Sequence, residues 1–254
     1  MSAAPLLLIT NDDGFDAPGL QALVAAVEPI GRVVVAAPDR EQSAAAHALT
    51  LRTPLRVYRA APDRWRIEGT PTDCVHLGLF HLTEKRNPDL VLSGINRGLN
   101  VGDDVTYSGT VAGALEAALL GVPALAVSAA VDASGAPDYA TAAAVTRTIA
   151  ERLLAERLPR GVFLNVNLPA TPPRGIRVTR QGTRAYRAAV VERLDPSGQP
   201  YYWIAGAETT PAGEPDGDHR AIEEGYVSVT PLHADLTHAP TLPVLSDWRL
   251  ELPR

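Results

Sequence analysis

The sequence predicts an α/β fold: a Rossmann-like, mostly parallel sheet with helices on both faces, followed by an extended, hairpin-rich C-terminal region. Three observations carry this expectation. Short apolar runs without polar alternation recur along the first two thirds of the chain, and such runs suit strands covered on both faces. Segments with helical spacing lie between them, and strand-helix alternation is the pattern of a parallel sheet. After Pro169 prolines become frequent, and alternating patches at 186–191 and 201–204 replace the strand-helix units.

The elements follow in order. Leu6 to Thr10 is too short and too apolar for anything but a buried strand, and it ends at Asn11-Asp12-Asp13. Pro18 suits a first helical turn, and Leu20, Leu23, Val24 and Val27 share one helical face up to Gly31. Arg32 to Ala37 is the second strand. Thr70-Pro71 reads as a cap and first turn, with Cys74, Val75, Leu77 and Leu79 as the apolar positions. Asp89 to Ser93 is the third strand, followed by a polar loop to about Gly109. Helix 110–120, strand 124–128, helix 139–158 and strand 162–168 complete the pattern, and Tyr226 to Thr230 reads as a further strand. The expected organisation is a catalytic core over 1–170 and a region over 171–254 that packs on the core and on a neighbouring subunit.

Composition excludes several classes. The 254 residues carry 23 basic and 29 acidic side chains, a net charge of −6, which argues against binding nucleic-acid polymers. Cys74 is the single cysteine, so no intramolecular disulfide forms, in keeping with a cytoplasmic location. The N-terminus lacks the positive start of an export signal. Residues 111–131 are apolar but are interrupted by Glu116 and by Gly121-Val-Pro123, so they read as core and not as a membrane span. Lys85 is the sole lysine, no phosphate-binding GxxxxGK[ST] loop occurs, and GxSxG, HExxH and GxGxxG after the first strand are all absent.

In an open α/β sheet, ligands bind beyond the carboxyl ends of the strands. Three polar loops follow buried strands: Asn11-Asp12-Asp13-Gly14, the 38–43 loop ending at Ser43, and Ser93-Gly94-Ile95-Asn96. Adjacent carboxylates are costly unless a cation neutralises them. Asp12-Asp13 is therefore either a solvated turn or, with Asn11, Ser43 and Asn96, a site for a hard divalent ion such as magnesium, manganese or calcium. Ser108-Gly109-Thr110 opens a helix. It is either a plain N-cap or an anion site, where free N–H groups and the helix dipole favour phosphate. His47 follows the Ser43 loop and is a candidate to line the site or to protonate a leaving group. His76 and His81 read as structural.

These residues resemble those of the survival protein SurE family of metal-dependent 5′/3′-nucleotidases. The likeness rests on TNDDG at 10–14, AAPDREQSAAAHALTL at 36–51, GTPTDCVHLGL at 69–79, PDLVLSGINRGLNVGDD at 88–104, YSGTVAGALEAALLGVPALAVS at 107–128, NVNLP at 165–169 and YVSVTPLHADLT at 226–237. One departure is Ala44, where many members have glycine. The resemblance implies one divalent ion held by Asp12, Asp13, Ser43 and Asn96; with such an ion, one of the catalytic candidates Asp12 and Asp13, or Asn11 next to them, is expected to orient the attacking water. It implies phosphate contacts from Ser108, Gly109 and Thr110, and Gly94 and Asn96 join that candidate set. The implied substrates are nucleoside monophosphates and, for some members, short polyphosphate. The implied assembly is a homodimer or homotetramer with exchanged C-terminal segments. Two other readings use the same loops: a phosphatase with an aspartyl-phosphate intermediate, and a nucleotide-binding module without turnover.

Overall fold

The computed structural model describes residues 4–84, 86–183, 187–207, 214–248 and 252; Lys85 and Tyr186 lie outside them. Nine strands form the main sheet: β1 (Leu6–Thr10), β2 (Arg32–Pro38), β3 (Val57–Ala61), β4 (Arg64–Ile67), β5 (Leu90–Arg97), β6 (Ala124–Ala129), β7 (Val162–Leu168), β8 (Ile176–Val178) and β11 (Val227–His233). Their spatial order is β3-β4-β2-β1-β5-β6-β7-β11-β8. The six strands from β4 to β7 are parallel, while β3 and β11 run antiparallel to their neighbours β4 and β7.

The continuous apolar runs are explained by two cores. On one face, Leu7 and Ile9 of β1 meet Leu20, Leu23 and Val27 of α1 (Pro18–Val27) and Ala142, Ala150 and Leu153 of α4 (Tyr139–Ala155). On the other, Leu6 and Leu8 meet Cys74 and Val75 of α2 (Pro71–Leu77) and Val111, Ala114 and Ala117 of α3 (Gly109–Leu119). Alternate residues of a strand face opposite sides, so a strand sandwiched between helices must be apolar at every position. The expected cap at Thr70 is a full capping box: Thr70 Oγ1 accepts from the Asp73 N–H, and the Asp73 carboxylate accepts from the Thr70 N–H. Cys74 is fully buried, and burial pushes its thiol well above the usual range, so it is core and not a nucleophile.

The structure differs from the sequence reading in several places. β5 does not stop at Ser93; it continues through Asn96 and Arg97, which pair with Ser128 and Ala129 of β6 after an irregularity at Gly94-Ile95. That irregularity includes a cis peptide bond between Gly94 and Ile95, and Gly94 has φ 137, a backbone region that favours glycine. Hydrophobic patterning missed the continuation because only Ile95 among these residues is apolar. The β3–β4 hairpin also escaped notice, because its first strand is largely exposed. Helix α4 ends at Ala155, three residues before the expected end, where the chain turns extended at Glu156.

Residues beyond 170 contribute β8 and β11 to the main sheet, with β11 lying directly on β7. They also form a separate antiparallel hairpin, β9 (Arg187–Leu194) and β10 (Pro200–Ala207). The helix α5 (Asp218–Glu223) ties this half to the core through Asp218. Its fully buried carboxylate accepts the N–H groups of Gly102 at 2.9 Å, Gly182 at 3.1 Å and His219 at 2.8 Å. Among the described residues, no helix is long and apolar enough to cross a membrane.

Asp218→Ala strips the acceptor from three backbone donors, two of them from other segments. Leaving buried donors unmatched costs about 1–3 kcal/mol. The urea midpoint should fall by that equivalent with an unchanged slope; an unchanged midpoint would show that the two halves are not joined there.

Candidate active site

The chain runs from β1 outward to β2 on one side and returns to β5 on the other, so the strand order reverses beside β1. Ligand crevices of open α/β sheets open at such a switch point, beyond the carboxyl ends of the strands. A pocket of about 470 Å³ lies there, lined by residues from all three expected loops: Asp12 and Asp13 after β1, Glu41 and Ser43 after β2, and Asn96 and Asn100 at and after β5. Ser108 and Tyr107, just ahead of α3, close it.

Asp12 is the most constrained group. It is 5% exposed, and its Oδ1 accepts the hydroxyl proton of Thr110 in the first turn of α3. The helix comes this close because residue 109 is glycine: a Cβ there would lie 2.8 Å from Asp12 Cβ. The Asp12 carbonyl accepts the Gln42 N–H at 2.8 Å, which fixes the Ser43 loop against the first loop. Burial pushes the Asp12 carboxyl up to about 6; the Thr110 hydrogen bond offsets part of this, and the neighbouring Asp13 charge adds to it. Asp13 is raised too, chiefly by burial; its Oδ2 accepts the Arg97 N–H at 3.2 Å.

Not every expected site residue faces the pocket. Asn11 is fully buried and is not among the residues that line it; its Nδ2 donates to the Gly14 carbonyl at 2.8 Å and shapes the turn. Thr110 is fully buried and turned onto Asp12. The Asp12 loop and the first turn of α3 are therefore joined directly. Ser108 is a true N-cap, its Oγ accepting from the Val111 N–H at 3.0 Å, and it also reaches the pocket. Gly94 lies within β5, where a Cβ would come 2.4 Å from the Val127 carbonyl oxygen; its contribution is to chain path. His47 sits in an adjoining pocket of about 460 Å³ that shares Ser108, and its Nε2 is 2.8 Å from Glu116.

The pattern reading missed the support beneath the pocket. Asn100 N–H donates to Asn167 Oδ1 at 2.8 Å, Asn100 Nδ2 donates to Ser128 Oγ at 2.7 Å, and the Asn100 carbonyl accepts from Asn165 and Asn167. Asn165 and Asn167 are fully buried, two apart on β7 and hence on one face. Buried amides require partners, so Asn-x-Asn inside a buried strand was the available signal.

A divalent cation fits these residues. Burial chiefly raises the pKa values of two adjacent carboxyls, whose charged forms a cation would favour, and Ser43 and Asn96 bring further oxygens to the same pocket. Among the described residues, no group of three or more His, Cys, Asp or Glu side chains that could hold a metal ion gathers; the candidate donors are two carboxyls, a hydroxyl and an amide. Oxygen donors suit a hard ion.

A switch-point pocket with paired carboxylates beside a helix N-terminus defines an α/β protein with a polar ligand crevice at the carboxyl edge of its sheet. The comparisons narrow this further. The family model described as Survival protein SurE matches residues 7–188, and the chain belongs to the SurE family. It is 50% identical over 245 residues to a 5′-nucleotidase SurE of Syntrophotalea carbinolica, covering 96% of this chain and 98% of that one. It is 49% identical to a 5′-nucleotidase SurE of Geobacter sulfurreducens, over 96% and 94% of the two chains. A crystal structure of the SurE protein from Aquifex aeolicus matches with a TM-score of 0.86 and 44% identity, over 96% of this chain and all of that one.

Asp12→Asn should stabilise the metal-free protein at pH 7. The folded pKa lies above the unfolded one, so the cost of ionising Asp12 in the fold is absent below pH 3.8 and complete above about pH 6. The shift corresponds to a gain of at most about 3 kcal/mol. Thermal melts in chelator should show the variant above the wild type at pH 7 and the two converging near pH 4. A lower melt at pH 7 would refute the burden assigned to Asp12.

Proposed function

We propose that the chain is a phosphomonoesterase that hydrolyses nucleoside 5′-monophosphates to nucleoside and phosphate, with activity extending to 3′-monophosphates and short polyphosphate. The observation that carries this is Asp12 and Asp13 sharing one pocket with the N-terminal end of α3, in a chain whose relatives are named 5′-nucleotidases. Asp12, Asp13, Ser43 and Asn96 would hold one Mg²⁺ or Mn²⁺. Such an ion offsets charge on the phosphoryl group and lowers the pKa of a bound water. The N-terminus of α3 offers N–H groups and a positive dipole end to the phosphate oxygens. Asp13, lining the pocket, orients the attacking water. The P–O bond to ribose breaks as the water oxygen bonds to phosphorus; the water gives up one proton and the ribose oxygen takes one up, so nucleoside and phosphate are released.

Phosphate release from a panel of nucleoside monophosphates tests this. Release should require Mn²⁺ or Mg²⁺ and stop with EDTA. Asp13→Asn should lower kcat by at least about 100-fold, the scale of losing one preorganised electrostatic group. Full activity in excess EDTA would overturn the metal requirement. Binding without release would leave a nucleotide-binding module, and a labelled phospho-enzyme at Asp12 or Asp13 would put aspartyl-phosphate chemistry in its place.

The β9–β10 hairpin supports a homo-oligomeric reading. Val190, Leu194, Tyr202, Trp203 and Ile204 are all largely exposed. A two-stranded hairpin is marginal in water by itself, and an apolar surface of this kind marks an interaction site. A second copy of the chain, in a homodimer or homotetramer, supplies the cover. Ile204→Asp should lower the mass measured by light scattering at micromolar concentration; a wild-type protein that is monomeric there would refute the assembly.

A further inference from the structure

Glu116 is the one carboxylate within the apolar helix α3, and it is 4% exposed. It is not left unpaired. Oε2 lies 2.8 Å from His47 Nε2, and Oε1 lies 2.7 Å from His76 Nδ1. Burial pushes the Glu116 carboxyl up, but the two histidine hydrogen bonds outweigh this and hold it below the usual range. A buried carboxylate that reaches two separate elements is placed to fix them relative to each other.

The two histidines belong to different neighbours. His76 lies on α2, which supplies no residue to the metal pocket. His47 lies in the 39–50 loop, four residues after Ser43. That loop has no regular secondary structure, and Ala44 and Ala46 sit at φ 59 and φ 50, a region that non-glycine residues adopt only when the surroundings hold them there. Backbone bonds from the Gln42 N–H to the Asp12 carbonyl and from the Ala46 N–H to the Tyr107 carbonyl flank Ser43, and His47–Glu116 is the side-chain contact that joins this loop to α3. The same helix that grips Asp12 through Thr110 thus grips the Ser43 loop through Glu116, six residues and about 9 Å further along the helix axis.

We propose that Glu116 is a positioning residue for the metal site: through His47 it holds the Ser43 loop so that Ser43 faces the pocket of Asp12, Asp13 and Asn96. The inference rests on the metal-binding reading above. Partners that orient a ligand are worth about 10–100-fold in metal affinity when removed.

Calorimetric titration of the full chain with Mn²⁺ alone tests it without reference to turnover. The proteins are the wild type, His47→Ala, His47→Gln, His76→Ala, Ser43→Ala and the His47→Ala/Ser43→Ala pair. His47→Ala should raise the Mn²⁺ Kd about 10–100-fold. His47→Gln, which retains an N–H for Glu116, should recover part of this. His76→Ala also removes a partner of Glu116 but should change the Kd less than about twofold, although it lowers the melting temperature. The double variant should bind no worse than Ser43→Ala, because His47 acts through Ser43 and effects in one chain of contacts do not add. A wild-type protein that does not bind Mn²⁺ overturns the metal reading and this inference with it. A wild type that binds, with His47→Ala equal to it, with His76→Ala equally weakened, or with additive losses in the pair, overturns the positioning role alone.

Discussion

A carboxylate held out of water at the end of the central strand dominates this molecule. Asp12 is nearly inaccessible, has a second carboxyl beside it in Asp13, and has its pKa pushed up to about 6, chiefly by burial. Burying a charge in such surroundings is unfavourable unless something else supplies the opposite sign. The fold makes the arrangement tolerable by bringing the first turn of α3 onto Asp12, with Gly109 giving the close approach and Thr110 donating its hydroxyl proton. What remains uncompensated is the charge that the proposed cation would neutralise. On that proposal, the stability lost at Asp12 and the affinity for a cation are two aspects of the same charge.

The surroundings of Asp12 are built to keep it in one place. Three segments that are distant in sequence converge there because β1 is central and its neighbours β2 and β5 lie on either side. Each loop is then fixed from beneath. Gln42 bonds to the Asp12 carbonyl, the Asn100 loop rests on the buried amides of β7, and Gly102 is held by Asp218 from the second half of the chain. Such support matters for an ion that takes several oxygens at short and narrow distances. It also explains why the C-terminal half is not an appendage: β11 pairs with β7, and β7 supplies the asparagines under the pocket.

The parallel sheet and its two helical faces were legible because strands buried on both sides leave unbroken apolar runs, as in Leu6–Thr10 and Ala124–Ala129. The loops that hold Asp12, Ser43 and Asn96 were legible for a related reason: polar residues directly after such runs must lie at the carboxyl edge. Contacts between side chains distant in sequence were not legible. Nothing local in Ser-Gly-Thr distinguishes a threonine that faces a phosphate from one that grips a buried carboxylate. His47 and Glu116 are 69 positions apart, and only the packing of α3 on the loop brings them together. The continuation of β5 through Asn96 was hidden because a mostly polar stretch after glycine reads as a loop, whereas backbone pairing with β6 maintains the strand.

The central claim is that the charge on Asp12 and Asp13 is the seat of a divalent ion. Diffraction from crystals soaked in Mn²⁺, recorded at a wavelength where manganese scatters anomalously, tests it most directly. The account predicts one strong peak per chain, about 2.0–2.6 Å from oxygens of Asp12 and Asp13, with Ser43 and Asn96 turned toward it. An active crystal form with no anomalous peak in this pocket, or with its strongest peak elsewhere, would contradict it.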